Sequence, residues 1–280
     1  PGKYIAAGPL ASRWLQQQFA SDATLIHSGA QVLGEPAAGY LSHPGYAALP
    51  EAPYRYQEML GVIWRENPSC YLQDGEQAVL MAALMETDND GRPLIDAWIK
   101  RSGLTADAWL EKLFEATVIP FYHLLCRYGV ALIAHGQNVT LVMKDYVPQR
   151  ILLKDFQGDM RLVDEDFPQA QSLPEQVKAV TARLSADYII HDLQTGNFVT
   201  VLRFISRLTL QCGVSETRFY QILAQVLRRY MAAHPDLAAR FAKFDLFKPQ
   251  IIRVILNPVK LTFSEHDGGN RMLPNYVCDL

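Results

Sequence analysis

The segment that most constrains the fold is a long apolar helix that leads directly into a buried strand. Thr105 is a favourable N-cap residue, and Gly129 supplies the left-handed conformation that commonly ends helices. Pro120 lies between them and predicts a kink. Apolar residues recur at helical spacing at Leu110, Leu113, Phe114, Phe121, Leu124 and Leu125. Residues 130–134 are apolar throughout, so this strand shares a core with the helix.

Shorter apolar runs predict two further pairs of strands. Residues 139–143 and 150–156 are separated by a turn at 145–149, which predicts a β-hairpin. Residues 59–64 and 78–85 are separated by Asn-Pro and Asp-Gly turn dipeptides, which predicts a second hairpin or meander.

The remaining segments complete an α+β fold. Residues 10–19 predict a short helix, residues 28–53 a long loop rich in Gly, Pro and Ala, and residues 174–244 a run of helices. We therefore predict central antiparallel hairpin strands followed by a mostly helical second half. Residues 1–170 and 171–280 form a possible subdivision of a single unit.

Composition excludes several classes of protein. The 26 basic and 29 acidic residues give a net charge of −3, which offers no general attraction for nucleic acid or an anionic membrane. No apolar run approaches the roughly 20 residues that span a bilayer. The chain starts without Met or an apolar leader, so we expect a fragment of a longer protein. Scattered cysteines disfavour zinc and disulfide frameworks and favour a cytoplasmic location: Cys70, Cys126, Cys212 and Cys278.

Polar residues at the two ends of the predicted hairpin are the candidates for ligand binding and catalysis. Because a hairpin brings its ends together, the loop with His135, Gln137 and Asn138 is expected to neighbour Lys154 and Asp155. Mg²⁺ prefers hard oxygen ligands, which Asp155 and the Asn138 carbonyl supply. His135 and Lys154 can donate hydrogen bonds to phosphate oxygens. The sequence predicts a nucleotide and metal site, although each residue alone also suits an ordinary turn.

Four stretches of the chain resemble the NRPS-independent siderophore synthetases, and the resemblance covers essentially all 280 residues. The stretches are Lys-Tyr-Ile-Ala-Ala-Gly-Pro-Leu at 3–10, Ile-Trp-Arg-Glu-Asn-Pro at 63–68, His-Gly-Gln-Asn at 135–138 and Lys-Asp-Phe-Gln-Gly-Asp at 154–159. The resemblance implies a hand-like fold of thumb, fingers and palm. Residues 1–280 would be its C-terminal palm and fingers part.

The same resemblance implies an ATP-dependent ligase that uses Mg²⁺. A citrate-derived carboxylate would be adenylated with loss of pyrophosphate, and the amine of N6-acetyl-N6-hydroxylysine would then displace AMP to form an amide. His135 would contact the α-phosphate, Gln137 and Asn138 would help hold nucleotide and metal, and Asp155 would coordinate Mg²⁺. His135 and Asp155 would be the catalytic residues, and Lys154 would support the nucleotide. A homodimer is expected from the family.

Two departures qualify this resemblance. Many family members carry Glu two residues before the histidine, where this chain has Ile133. The family's Ser-x-Arg-Thr triphosphate loop lies upstream of the first residue, so we expect an incomplete ATP site. Citrate needs convergent cations, and the candidates are Arg65, Lys248 and Arg253, each of which also suits a surface role.

Two other functions remain open at the level of sequence. A His-containing loop followed about twenty residues later by Asp-Phe also resembles protein kinases. Kinases place a proton-accepting carboxylate in that loop, whereas this chain has Gln137, which cannot act as a base. A noncatalytic ferric-siderophore-binding module is the third possibility, although an iron–sulfur site would need clustered thiolates.

Overall fold

The computed structural model describes residues 5–41, 43–48, 60–156, 158–252 and 277–279. It has the predicted α+β architecture, with small sheets in the first part and mostly helices in the second. The helices are α1 (Gly8–Ser21), α2 (Ala23–Ser28), α3 (Pro44–Ala47), α4 (Leu94–Ser102), α5 (Ala106–Tyr128), α6 (Glu175–Val180), α7 (Ala186–Ile189), α8 (His191–Leu193), α9 (Arg203–Leu208), α10 (Glu216–Ala233) and α11 (Ala238–Lys243). A π-helical segment, Gln194–Leu202, joins α8 to α9.

The strands form four small sheets in the described part of the chain. They are β1 (Gln31–Val32), β2 (Ala37–Leu41), β3 (Leu60–Trp64), β4 (Glu76–Leu80), β5 (Val130–Leu132), β6 (Val139–Lys144), β7 (Val147–Leu153), β8 (Met160–Val163), β9 (Ala182–Leu184), β10 (Gln250–Ile252) and β11 (Val277–Asp279). The sheet orders are β1-β7-β6-β4, β5-β8-β9, β2-β3 and β10-β11.

The helix α5 forms as its sequence predicts. Thr105 Oγ1 accepts a hydrogen bond from the Ala108 amide at 3.2 Å, and Gly129 ends the helix with a φ of 65°. Pro120 does not interrupt the helical assignment. The buried faces of α5 and α10 meet through Phe114 and Phe219, whose rings lie edge to face with centroids 4.9 Å apart.

The predicted hairpin at residues 139–156 is confirmed as β6 and β7, which pair antiparallel from Val139 opposite Leu153 to Lys144 opposite Val147. The strand β1 adds in parallel to β7, and β4 adds antiparallel to β6. Most residues of β6 are buried, because α5 packs on the sheet.

Two sequence predictions about the strands are wrong. Residues 28–53 were expected to be a loop, but they contain β1, β2 and α3. Residues 59–64 and 78–85 do not pair with each other, since β3 pairs with β2 and β4 pairs with β6. The run 78–85 also turns from strand into a 3₁₀-helix, Met81–Met85. Apolar runs mark strands but do not identify their partners.

Among the helices that the structure describes, none combines the length and apolar character that crossing a membrane requires.

Candidate active site

The β6–β7 hairpin brings the two predicted clusters together. Val139 begins β6 opposite Leu153, the last residue of β7, so the residues just outside both strands adjoin. The Lys154 amide donates a hydrogen bond to the Asn138 carbonyl at 3.4 Å. The expectation that the His135 loop neighbours the Asp155 segment agrees with this geometry.

The His135 turn is tight and closely packed. The Asn138 amide donates to the His135 carbonyl at 2.9 Å, and the Ala82 amide donates to the Gly136 carbonyl at 3.1 Å. A Cβ at Gly136 would lie 3.1 Å from the Ala82 nitrogen, so a side chain there would push the turn away from its support. Asn197 Nδ2 donates to the Ala134 carbonyl at 3.0 Å. Gln137 lies exposed at the turn.

Asp159 connects two of the three predicted nucleotide-binding residues of this turn. Asn138 Nδ2 donates to Asp159 Oδ2 at 2.8 Å, and His135 Nε2 lies 4.0 Å from the same oxygen. The Asp159 carbonyl also accepts from the Ile133 amide at 3.0 Å. Asp159 belongs to the stretch that resembles the siderophore synthetases, but sequence reasoning gave it no role.

Asp155 is held in a backbone conformation that non-glycine residues rarely adopt, with a φ of 63°. Lys154 Nζ lies 2.8 Å from Asp155 Oδ2, and Arg65 pairs with Oδ1. Burial raises the pKa of Asp155, but the hydrogen bond from Lys154 and the charge of Arg65 lower it by more. The net pKa therefore lies below the usual value, and the group is a carboxylate at neutral pH.

Arg65 lies between Asp155 and a second carboxylate, Glu35. Arg65 Nη2 and Nε donate to Glu35 Oε1 at 2.9 and 3.3 Å. The Glu35 side chain is fully buried, and its amide donates to Ser12 Oγ at 3.1 Å. Glu35 falls in the segment 28–53 that was predicted to be a loop and was given no site role, whereas the structure buries its side chain against Arg65. A carboxylate between two apolar segments was the available signal.

A second buried contact fixes the segment around Arg65. Glu66 Oε2 accepts from the Gly34 amide at 2.7 Å, from Gln16 Nε2 at 3.3 Å and from the Tyr71 hydroxyl. Burial and the Glu66 carboxylate raise the pKa of Tyr71 to about 12. These contacts hold the residues after β1 and β3 side by side, so Arg65 reaches both carboxylates.

Lys248, another predicted substrate cation, has a different partner. Lys248 forms an exposed ion pair with Asp187 at 3.1 Å instead of contacting the cluster. Arg253 lies outside the described residues. Of the two predicted substrate cations that the structure describes, Arg65 is the one that pairs with Asp155.

Asp192 is a half-buried acid near Asp159 that sequence reasoning missed. Within the described part of the chain, its Oδ2 is buried without a hydrogen-bond partner. Burial raises the pKa of Asp192 to about 7, with Arg161 opposing this rise and Asp159 adding to it. The Asp192 carboxyl, which interacts with Asp159, therefore changes its charge near neutral pH.

The donor set suits a Mg²⁺–nucleotide complex better than an all-protein metal cage. Asp155 and Asp159 offer carboxylate oxygens, and Asn138 offers a carboxamide beside Asp159. Among the described residues, no group of three or more His, Cys, Asp or Glu side chains converges on one point. Mg²⁺ in nucleotide sites typically takes one or two carboxylates and completes its shell with phosphates and water.

Comparison with known proteins identifies the family. The IucA / IucC family model matches residues 1–86, and the model described as ferric iron reductase FhuF-like transporter matches residues 107–270. Aerobactin synthase from Escherichia coli is 70% identical over 280 residues, which are 100% of this chain and 48% of that protein. The chain belongs to the NRPS-independent siderophore synthetases. Residues 107–270 form its FhuF-like region.

Further members of this synthetase family match along nearly the whole chain. Aerobactin synthase from Vibrio mimicus is 58% identical over 275 residues, covering 98% of this chain and 46% of that protein. The solved structure of aerobactin synthetase IucC from a hypervirulent Klebsiella pneumoniae pathotype is 68% identical with a TM-score of 0.86. It covers 93% of this chain and 46% of that chain. The synthetase chain spans about half the length of the curated relatives it matches.

Proposed function

We propose that the synthetase chain supplies the metal and α-phosphate part of an ATP-dependent siderophore ligase. In the reaction, a citrate-derived carboxylate is adenylated and the amine of N6-acetyl-N6-hydroxylysine then displaces AMP. The observation that carries the proposal is the junction of the His135 turn with Asp155 at the end of the β6–β7 hairpin. The 70% identity to an aerobactin synthase supports the choice of substrates.

The residues of the turn have roles that fit adenylation. His135 donates a hydrogen bond to the α-phosphate as negative charge builds on it, which stabilises the transition state. Asn138 and Gln137 hold the nucleotide, and Asp159 orients His135 and Asn138 through its carboxylate. Asp155 and Asn138 hold Mg²⁺, which when bound supplies charge neutralisation at the phosphates.

The two cationic side chains beside Asp155, those of Lys154 and Arg65, are suited to bind anionic groups of the substrates. Lys154 lies close enough to Asp155 to reach a phosphate in the same site. Arg65 offers a planar fork that binds a carboxylate in bidentate fashion, and its side chain is 27% exposed. We assign Arg65 to a carboxylate of citrate. Lys248 and Arg253 stay weaker candidates for the same role.

The proposal is tested by product analysis with Mg·ATP and citrate or its mono-hydroxamate conjugate. The comparison uses this chain and the polypeptide extended to the length of its relatives. We expect AMP and pyrophosphate from the extended polypeptide and no turnover by this chain alone, because the resemblance implies that its ATP site is incomplete. ADP as the nucleotide product would contradict the ligase and favour a phosphotransferase.

Substitutions in the turn test the assigned roles. In the extended enzyme, His135→Ala and Asp155→Asn are expected to lower hydroxamate-product formation by about 100-fold or more, because each removes transition-state stabilisation. Arg127→Gln is the control, and we expect a small effect because Arg127 pairs with Asp236 on the surface. Full activity in Asp155→Asn would remove Asp155 from the metal role.

Ferric-siderophore binding is the second candidate, because the FhuF-like model matches residues 107–270. An iron–sulfur centre needs converging thiolates. Cys70 is exposed, Cys126 is buried and Cys212 is half-buried, and burial raises the pKa of the Cys212 thiol to about 11. Reconstitution with iron and sulfide, followed by visible absorption, separates the two functions. A stable cluster would favour the second candidate.

At the level of architecture, we propose the palm and fingers part of a hand-like homodimeric synthetase. Residues 1–170 would hold the nucleotide, and residues 171–280 would form the helical part.

A further inference from the structure

Arg65 has one buried partner and one partially exposed partner. Its Nη2 and Nε donate to Glu35 Oε1 at 2.9 and 3.3 Å, and Nη2 also pairs with Asp155. The Glu35 side chain is 0% exposed, whereas the Asp155 side chain is 34% exposed. The two contacts therefore differ in how easily solvent or another cation can replace them.

The buried contact is the one that persists. Breaking a buried ion pair leaves an uncompensated charge in the core, which is strongly unfavourable. A partially exposed pair contributes little, because water and ions can take its place. Asp155 also holds Lys154 at 2.8 Å, so loss of Arg65 would not leave its carboxylate without a cation. Arg65 can leave Asp155 while it keeps Glu35.

We propose that Arg65 and Mg²⁺ compete for the Asp155 carboxylate. Arg65 leaves Asp155 when the ion binds, stays attached to Glu35, and offers its guanidinium to the carboxylate of the acid substrate. Glu35 acts as a positioning residue in this exchange. The inference rests on the proposed function, because it takes Asp155 as a metal ligand and a carboxylic acid as the substrate.

The local charges support an exchange. Glu35 and Asp155 carry two negative charges, and Arg65 and Lys154 carry two positive charges. A divalent ion added at Asp155 repels the guanidinium beside it, and an incoming carboxylate gives that guanidinium a new partner. The guanidinium of Arg65 thus becomes available to the acid substrate only after the metal has bound, so metal and nucleotide bind before the acid.

The experiment is a titration with Mn²⁺ alone, in which electron paramagnetic resonance counts the free ion. The 280-residue chain is compared with Arg65→Gln, Asp155→Asn and Arg127→Gln. Arg65→Gln is expected to bind Mn²⁺ roughly tenfold more tightly, the effect of removing one adjacent positive charge. Asp155→Asn is expected to abolish this binding. Arg127→Gln removes the same charge from an exposed pair with Asp236 and should leave it unchanged.

A second variant separates exchange from a structural role. Glu35→Gln removes the buried partner, so Arg65 retains Asp155 alone and Mn²⁺ should bind more weakly than in the wild type. A purely structural role of the Glu35–Arg65 pair would move both variants in the same direction. A lowered melting temperature would show whether Arg65→Gln is too unstable to titrate. In that case Arg65→Lys replaces it, because lysine keeps the positive charge without the planar fork. Arg65→Lys should bind Mn²⁺ more tightly than the unsubstituted chain but less tightly than expected for Arg65→Gln.

The outcomes distinguish the two levels of the proposal. Equal or weaker Mn²⁺ binding in Arg65→Gln, with binding still dependent on Asp155, would overturn the exchange and leave the proposed function standing. Mn²⁺ binding that does not depend on Asp155 would overturn both. Mn²⁺ binding that is missing from every variant would overturn the exchange, because Arg65 would have no ion to compete with, but not the proposed function, in which phosphates complete the metal shell.

Discussion

At the scale of single residues, one buried ion pair ties together the strands on either side of β6. Arg150 on β7 donates from Nη2 to Glu76 Oε2 at 2.7 Å and to the Tyr71 carbonyl at 2.8 Å. The Glu76 side chain is 4% exposed. The hydrogen bond from Arg150 lowers the pKa of Glu76 from 4.5 to about 2, against the opposing effect of burial.

This pair predicts a loss of stability in acid. Because the pKa of Glu76 is lower in the folded chain, its stabilisation is complete above pH 4.5 and disappears as the pH falls towards 2. Glu76→Gln is expected to cost about 3 kcal/mol at pH 7, because Arg150 loses its buried partner. In this variant the free energy of unfolding should also change less between pH 4.5 and pH 2. Urea unfolding at a series of pH values measures both effects, and an unchanged acid slope would contradict the assignment.

The site shows which residues the sequence could predict. His135, Asn138 and Asp155 could be placed together, because a hairpin dictates that its ends meet. Glu35 and Asp159 were missed because their contacts depend on the path of other segments, which local pattern does not report. Arg65 was chosen for its chemistry, but its two carboxylate partners were not foreseen.

At the scale of elements, two separate constraints require glycine at the position that ends α5. Gly129 has a φ of 65°, which favours glycine, and a Cβ there would lie 2.7 Å from Val163 Cγ1 and 2.8 Å from the Phe167 ring. Gly103 ends α4 with a φ of 71°, but a Cβ there would meet nothing within 4 Å. A side chain at Gly103 would therefore meet backbone strain alone, whereas a side chain at Gly129 would meet both backbone strain and a steric clash.

We predict that the two alanine substitutions differ in cost. Gly103→Ala should destabilise the chain by about 1 kcal/mol through the left-handed backbone alone. Gly129→Ala should cost about 1–3 kcal/mol more, because its methyl group also overpacks the core beside Phe167. Chemical denaturation of both variants gives the difference. Equal costs would mean that Val163 and Phe167 move aside freely.

Elements with strong internal signals were predicted, and those that depend on a distant partner were not. The helix α5 carries its caps and its apolar face within its own residues. By contrast, β2 contains Ala, Gly and Tyr and resembles a loop until β3 pairs with it. The π-helical segment Gln194–Leu202 has no local signature and was predicted only as helix.

At the scale of the whole molecule, one apolar cluster runs from α1 through α5 to α11, while the β2–β3 ribbon exposes apolar side chains. The strongly exposed apolar residues of the ribbon are Tyr40, Leu41, Leu60, Val62 and Trp64. Trp64 is 54% exposed, whereas Trp14 and Trp109 are buried in the core.

Tryptophan fluorescence tests this arrangement. Acrylamide should quench a solvent-accessible component of the emission that Trp64→Phe removes, because Trp64 lies on the exposed ribbon. Trp109→Phe is the matched control, and it should leave that component in place because Trp109 is fully buried. Trp98 is half-buried and contributes to the remaining quenching. Quenching that is as strong in Trp64→Phe as in the unsubstituted chain would contradict the exposed position of the ribbon.

The exposed ribbon also affects how the isolated chain behaves at high concentration. Leu41 lies opposite Leu60 and Ala37 lies opposite Trp64, and Val62 lies between Leu60 and Trp64 on the same face, so these side chains form one apolar stripe. A two-stranded ribbon also presents unpaired backbone groups along its edges, and such edges recruit strands from neighbouring molecules. Purification yield and shelf life of this chain are therefore expected to depend on the exposed side chains of this ribbon. A charged residue at Leu60 is the simplest way to improve its solubility.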